Sequence, residues 1–319
     1  MDLELLVRNL TNPTLLFFCL GILAQVLKSD LEVPETSARF IALYLLFAIG
    51  FKGGQELVHN PLTPEIGYGI AFGLGLATII PLYTFFLLRT RLSVHDAGAI
   101  AAAYGSVSAV TFVTADSFLE LQNIAYGGHM VAIMALMEAP AIIVGVILIG
   151  QYDTEAGQKS HLGGIVRHSF TNGSVLMILG SLVIGIISDS EQAEGIKPFT
   201  NDIFKGFLAI FLLEMGIVTA RRFAAFRRYG WFASLFALAM PLVNGSGVAW
   251  LSGFISQSAG DRLMFSVLAA GASYIAVPAA MRLAAPRSDP GLYIPMALGV
   301  TFPFNITLGL PLYMSIIRL

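Results

Sequence analysis

Ten long apolar runs separated by short polar connections dominate the chain. A helix needs about 20 mostly apolar residues to cross the roughly 30 Å hydrocarbon core of a bilayer. The runs are continuous, whereas strands of a membrane barrel would alternate apolar and polar residues. The pattern therefore predicts an all-α polytopic membrane protein with ten transmembrane helices. The runs cover residues 13–28, 36–54, 66–88, 95–119, 126–150, 170–188, 200–220, 230–256, 261–285 and 290–317.

The composition supports this prediction and excludes several soluble classes. Of the 319 residues, 56% are hydrophobic and 12% charged, whereas a soluble domain carries about 25% charged residues. The net charge of −2 provides no basic field for nucleic acid. The single cysteine, Cys19, excludes an internal disulfide and a cysteine-based metal centre. No two histidines sit at ligand spacing, so we predict no transition-metal site and no cofactor.

The basic residues of the connections predict the orientation. Ten spans place the connections alternately on two sides, and twelve of the 18 Lys and Arg residues fall on one of them. The side richer in Lys and Arg is the cytoplasmic one. Both termini are then outside the cytoplasm, and residues 151–169 form a cytoplasmic linker. We expect a multi-pass protein of the inner (plasma) membrane.

The two halves of the chain resemble each other. Matching segments occur in the same order at an offset of about 160 to 166 residues. A single match is weak evidence, because chance similarity is common in apolar sequence, but four matches in the same order are stronger evidence for a repeat. The matching pairs are residues 11–12 with 171–172, 45–54 with 211–220, 81–82 with 241–242, and 105–111 with 271–277.

An odd number of spans per half has a consequence for topology. A second copy of five spans must start on the opposite face of the membrane, so the halves form a 5+5 inverted repeat. Residues 1–150 are predicted to be the first repeat and 170–319 the second. Inverted repeats are typical of secondary transporters, whose sites lie near the midplane where the repeats meet.

Two of the spans carry helix-breaking residues at mid-membrane. Glycine and small hydroxyl residues interrupt the fourth span at 105–109 and the ninth at 271–276, where Pro278 follows. We predict discontinuous helices there, because non-helical backbone at that depth lines a cavity or is buried in protein. The N-termini of the two second half-helices would converge and favour a small anion. Close helix packing is the alternative explanation. The predicted substrate-binding residues are Gly105, Ser106, Ser108, Thr111, Gly271 and Ser273.

Ionisable and amide residues at depth suggest a second ligand. Glu138 lies mid-span next to Pro140, and we predict that it binds a cation or a proton, with a hydrogen bond to a neighbouring helix as the alternative. Asn305 offers a carbonyl ligand or, equally, an amide that links helices. Asp116 and Glu120 are expected to be solvated or to line a vestibule. The predicted ion-binding residues are Ser108, Thr111, Glu138 and Asn305.

At these residues the chain resembles the sodium-dependent bicarbonate transporter family of the cyanobacterial type. The resemblance rests on GSVSAVT at 105–111, the Glu-x-Pro-Ala stretch at 138–141, the segment 269–273 with Pro278, and the spacing from Pro303 to Pro311. It implies a gate or scaffold domain of spans one, two, six and seven and a core domain of spans three to five and eight to ten. It also implies that the anion and Na⁺ bind at the broken helices, that the assembly is a homotrimer, and that a PII-like regulator is a possible partner.

The chain departs from that family pattern at the breaks. Hydroxyl or carboxyl groups that the resemblance implies are replaced at Val110, Ala272, Tyr274 and Ala276, and hard cations prefer oxygen ligands. The leading prediction is a secondary active transporter of a small anion, with sodium-coupled bicarbonate uptake. The alternatives are a proton-coupled carrier of a small carboxylate, using Glu138, and an intramembrane enzyme. The enzyme is disfavoured because no His or Lys near mid-span is available to activate a serine.

Overall fold

The structure, a computed structural model, describes residues 11–59, 63–153, 173–226, 230–274, 277–278, 280–281 and 285–319. Over these residues the regular structure is helical, with no strand. The predicted linker lies outside the described residues from residue 154 onward, and so do residues 275 and 276 of the second predicted break.

The helices are labelled here in chain order. They are α1 (Pro13–Val26), α2 (Glu35–His59), α3 (Pro64–Leu88), α4 (Val94–Gly105), α5 (Ala109–Glu120), α6 (His129–Tyr152), α7 (Gly173–Ile187), α8 (Ser190–Lys197), α9 (Phe204–Phe226), α10 (Gly230–Leu251), α11 (Ala259–Ala270) and α12 (Pro290–Ile317). Helix α12 contains two π-helical segments, Ala297–Thr301 and Asn305–Gly309.

The prediction of a multi-pass membrane protein is confirmed. Within the described residues, seven segments are long and apolar enough to cross a bilayer: α2, α3, α4 with α5, α6, α8 with α9, α10 and α12. Helix α1 and the apolar part of α7 are shorter than a span, and the ninth run is helical only to Ala270 before its break. The count of ten spans stays a prediction.

Two exposed tryptophans mark the ends of α10. Trp231 and Trp250 are 69% and 62% exposed, and they are separated by 19 residues, which is about 29 Å along a helix. Tryptophan concentrates at the two interfaces of a bilayer, and the hydrocarbon core is about 30 Å thick. The exposed ring positions therefore fit a membrane on the outer face of α10.

Helices α1 and α9 pack against each other with their backbones in contact, and so do α2 and α7. A methyl group added at Gly21 would lie 2.1 Å from the carbonyl oxygen of Leu213, and one at Gly54 would lie 2.2 Å from that of Leu182. Only glycine fits so close a crossing. These four helices form the group that we call the frame.

The remaining spans pack as two further groups. Helix α3 packs on α4 and α6, and α4 also packs on α6; helix α10 packs on α11 and α12. Helix α5 meets α11 where the two groups touch. The predicted site residues lie at this contact.

Candidate functional site

The fourth span is broken where the sequence predicts. Helix α4 ends at Gly105, residues 106–108 are extended, and α5 begins at Ala109. The Ser108 side chain caps α5: its Oγ accepts from the backbone N–H of Thr111 at 3.2 Å and from the Thr111 hydroxyl at 2.8 Å. Both residues are buried. The cap leaves two hydroxyl groups at the positive end of the half-helix.

Gly105 is required by the packing around the end of α4. A methyl group there would lie 2.1 Å from Pro81 Cγ on α3 and 3.3 Å from Ala141 Cβ on α6. A proline ring cannot rotate away from such a contact. The absence of a side chain therefore lets three helices meet at the first break.

The second break repeats the design of the first. Helix α11 ends at Ala270, residues 271–274 are non-helical, and the Oγ of Ser273 accepts from the backbone N–H of Val277 at 3.3 Å. Ser273 is 3% exposed. Here as well, a buried serine in the break accepts from a backbone amide of the segment that follows.

The two breaks are in direct contact. The Ser273 amide donates to the carbonyl oxygen of Ala103 at 2.8 Å, and a methyl group added at Gly271 would lie 3.2 Å from the Ser108 amide nitrogen. The crossing of the breaks places the six predicted substrate residues in one neighbourhood. Their role in binding stays a prediction.

The Ser106 hydroxyl is a free polar group within this neighbourhood. Ser106 is 0% exposed, and its Oγ has no hydrogen-bond partner among the residues that the structure describes. Buried hydroxyl groups are usually satisfied, so an unpaired one in a helix break is available to a ligand.

Glu138 lies on α6, about one turn from the contact that α6 makes with the end of α4. The two helices run antiparallel, with Gly98 packed on Gly145 and Gly105 on Ala141. In the described part of the chain the carboxylate of Glu138 makes no hydrogen bond or ion pair.

Asn305 is occupied at both ends of its amide. Its Nδ2 donates to the carbonyl oxygen of Ala270 at 2.8 Å, and its Oδ1 accepts from the Tyr313 hydroxyl at 2.8 Å. These contacts agree with the helix-linking interpretation, and the ligand interpretation stays a prediction. Because Ala270 is the last residue of α11, Asn305 also sets the position of the second break.

A charged cavity of about 460 Å³ lies at the far end of α5. Asp116 and Glu120 are expected from the sequence to be solvated or to line a vestibule. Both line this cavity, but Asp116 is 2% exposed and therefore not solvated. Sequence reasoning did not single out Lys52 and Lys205, which line it too. Lys52 could have been found as a charge inside a predicted span, where ionisable residues indicate function.

A comparison with protein families agrees with the resemblance. The family model described as the Na⁺-dependent bicarbonate transporter superfamily matches residues 13–318, which is nearly the entire chain. A search of curated proteins found no match.

Proposed function

Because the chain belongs to the Na⁺-dependent bicarbonate transporter superfamily, we propose that it is a secondary active transporter that takes up bicarbonate together with Na⁺. The observation that supports the proposal is the hydrogen bond between the Ser273 amide and the Ala103 carbonyl oxygen, which joins the two helix breaks. Membership of a transporter family implies that the protein is not an enzyme. The family comparison supports bicarbonate and Na⁺ as substrates, and the residue roles below are part of the proposal.

The anion is held by the two breaks. Each half-helix N-terminus acts as roughly half a positive charge and offers free N–H donors. Gly105 and Gly271 let the backbones approach, while Ser106, Ser108, Thr111 and Ser273 supply hydroxyl groups. A planar oxyanion can accept several of these hydrogen bonds at once.

The cation is held beside the anion by oxygen atoms. Ser108, Thr111 and Glu138 offer hydroxyl and carboxylate oxygens, which suit a hard cation such as Na⁺. Asn305 is the fourth proposed ligand, through the second lone pair of its carbonyl oxygen. A Na⁺ ion beside Glu138 would compensate a carboxylate for which the described residues provide no partner.

The architecture we propose is a 5+5 inverted repeat. Two matched caps support it: Ser93 accepts from the Asp96 amide, and Ser258 accepts from the Asp261 amide. Each aspartate then accepts from a backbone amide that precedes a span, Asp96 from Asp289 at 2.8 Å and Asp261 from Gly127 at 2.7 Å. The pairing of α1 with α9 and of α2 with α7 also supports this architecture. In these pairs the first span packs on the seventh and the second on the sixth, so exchanging the two repeats turns one pair into the other.

The domain division and the assembly follow from this architecture. The frame would be the gate domain and the other spans the core domain, with repeats at 1–150 and 170–319 joined by a cytoplasmic linker at 151–169. Both termini would face outside. A homotrimer and a PII-like regulator remain proposals that rest on the family.

A proton-coupled carrier of a small carboxylate is the second candidate. It is favoured by the apolar residues Val110 and Ala272 at the breaks, because they supply no oxygen for Na⁺. Glu138 would then carry a proton, which removes the cost of a charged carboxylate in the membrane.

Uptake into proteoliposomes tests these candidates. Labelled bicarbonate and a panel of small carboxylates would be offered with and without Na⁺ and with an imposed pH gradient. Bicarbonate accumulation that requires a Na⁺ gradient supports the proposal. Carboxylate accumulation driven by pH supports the second candidate, and equilibration without accumulation would show a passive channel instead.

A further inference from the structure

The charged cavity is separate from the two breaks. It lies where α2, α5 and α9 meet the segment that leads into α6, and no break residue that the structure describes lines it. Its volume of about 460 Å³ falls within the range of small-molecule sites, about 300–1,000 Å³. The side chains that matter here are Lys52, Glu56, Asp116, Glu120, Tyr126 and Lys205.

One carboxylate in the cavity bridges two ammonium groups from different helices. Glu120 Oε1 accepts from Lys52 Nζ on α2 at 2.9 Å, and Glu120 Oε2 lies 3.0 Å from Lys205 Nζ on α9. Each ammonium group has three donors. The two ammonium groups therefore already bind a planar oxyanion, which is the carboxylate of Glu120.

Glu120 can leave this position toward water. Its side chain is 35% exposed and Lys205 is 52% exposed, so the displaced carboxylate has a path to solvent. The exposed pair with Lys205 contributes little to stability, whereas in the pair with Lys52 both side chains are about one-third exposed. An incoming anion that takes the place of Glu120 keeps the charge of the cavity unchanged, beside the carboxylates of Glu56 and Asp116.

Helix α5 connects the cavity to the breaks. Phe112, Asp116 and Glu120 follow at intervals of four residues, so consecutive members are neighbours along the helix, and Ser108 precedes them as the N-terminal cap. The 12 residues of α5 make the helix about 18 Å long. The Phe112 ring packs edge to face, with centroids 5.9 Å apart, on the ring of Tyr126, which lines the cavity.

We propose that the cavity is a second binding site for the transported anion, in which a planar oxyanion replaces Glu120 between Lys52 and Lys205. Bicarbonate fits well, because it accepts from both ammonium groups and its own hydroxyl can donate to a carboxylate of the lining. Displacement of Glu120 also breaks the ion pairs that connect α5 to α2 and α9 of the frame. The inference rests on the proposed function for the identity of the ligand.

The experiment uses substitutions with opposite expected effects. Lys52→Gln and Lys205→Gln remove donors and should raise the apparent KM for bicarbonate uptake about three- to tenfold. Glu120→Gln removes the competing charge and should lower KM. Lys197→Gln is the matched control, because Lys197 pairs with Glu194 on the exposed helix α8 at the same 2.9 Å, and it should leave KM unchanged. A rise of KM in Glu120→Gln would overturn the proposal, because it would mean that Lys52, Glu120 and Lys205 only hold the helices together.

A binding measurement separates this proposal from the proposed function. Bicarbonate, acetate and chloride would be tested for their effect on the thermal unfolding midpoint of the Ser108→Ala/Ser273→Ala variant, whose break site is weakened. Stabilisation by bicarbonate or acetate that disappears when Lys52→Gln and Lys205→Gln are added supports the cavity site, even where the wild type transports no bicarbonate. Equal stabilisation with and without the lysines, or none in any variant, would overturn it.

Discussion

The amide nitrogen of Ser273 lies 2.8 Å from the carbonyl oxygen of Ala103, and this hydrogen bond joins two helix breaks from opposite halves of the chain. Ala103 is in the last turn of α4, where carbonyl groups have no partner within the helix. Ser273 supplies that partner from the second break. The two breaks are thus held at a crossing point by a backbone hydrogen bond.

Ser108→Ala and Ser273→Ala should weaken anion uptake. Each removes a hydroxyl group at a half-helix N-terminus, and loss of a hydrogen bond to a charged ligand costs about 1.5–3 kcal/mol, roughly ten- to a hundredfold in affinity. The apparent KM of each variant in proteoliposomes checks this. Ser234→Ala, at the start of α10, is the control. Wild-type KM in both break variants would mean that the breaks serve packing only.

Gly105→Ala should destabilise the protein through a clash with Pro81. Overpacking typically costs about 1–3 kcal/mol, and here the nearest atom belongs to a rigid ring. The thermal unfolding midpoint of the purified variant should fall. Gly75→Ala on α3, where no atom lies within 4 Å of the added methyl group, should leave the midpoint unchanged or raise it. An unchanged midpoint in Gly105→Ala would contradict the packing described at the first break.

Glu138→Gln should distinguish the two coupling ions. If Glu138 binds Na⁺, the variant loses sodium dependence, and wild-type uptake responds little to pH at saturating Na⁺. If Glu138 carries a proton, wild-type uptake follows pH and ignores Na⁺, and the variant exchanges substrate without accumulating it. Uptake across a matrix of Na⁺ concentration and pH separates the branches, with Glu65→Gln as a surface control. A variant with normal sodium response, pH response and accumulation would leave Glu138 as a structural residue.

Asn305→Ala should lower stability more than Tyr313→Phe. The alanine strands the Ala270 carbonyl and removes one acceptor of the Tyr313 hydroxyl, and a buried unsatisfied group costs about 1–3 kcal/mol. Tyr313→Phe removes only the hydroxyl, whose single proton is shared between Asn305 Oδ1 and the Pro241 carbonyl oxygen. Thermal unfolding of both variants tests the order. If Tyr313→Phe retains the wild-type KM for Na⁺ and Asn305→Ala raises it, Asn305 is a cation ligand as well as a link.

The inverted repeat predicts where labels react. Single cysteines are introduced in a Cys19→Ser background. Those at both termini should be modified from outside the cell, and those within 151–169 should be modified only from inside. Two membrane-impermeant reagents, applied to intact cells and to inverted vesicles, measure this. Termini on opposite faces would reject five spans in each half.

The breaks could be predicted because their cause is local. Glycine and hydroxyl residues weaken a helix wherever they occur, and a serine three residues before a free amide caps the next one, as Ser108 does for Thr111. The crossing of the breaks followed from the predicted symmetry. The spans at Pro13–Val26 and Val175–Ile187 are shorter than expected, since an apolar run in the sequence shows where a helix can lie but not where its hydrogen bonds end.

The cavity could not be predicted as a unit. Lys52 and Glu120 are 68 residues apart, and only the packing of α2, α5 and α9 brings the two lysines to one carboxylate. Similarly, the need for glycine at position 105 arises from Pro81 on another helix. Such contacts depend on the rotation of each helix about its axis, which a single apolar sequence leaves open.

The glycine crossings of the frame have a mechanical consequence. Where Gly21 meets Leu213 and Gly54 meets Leu182, backbone touches backbone with no side chain between them. Side chains can change rotamer while their helices slide, but at these two contacts no side chain stands between the backbones. The crossed pairs can neither slip by a fraction of a turn nor tighten further. We therefore expect the large displacement of a transport cycle to occur at the seam between the frame and the spans that carry the breaks.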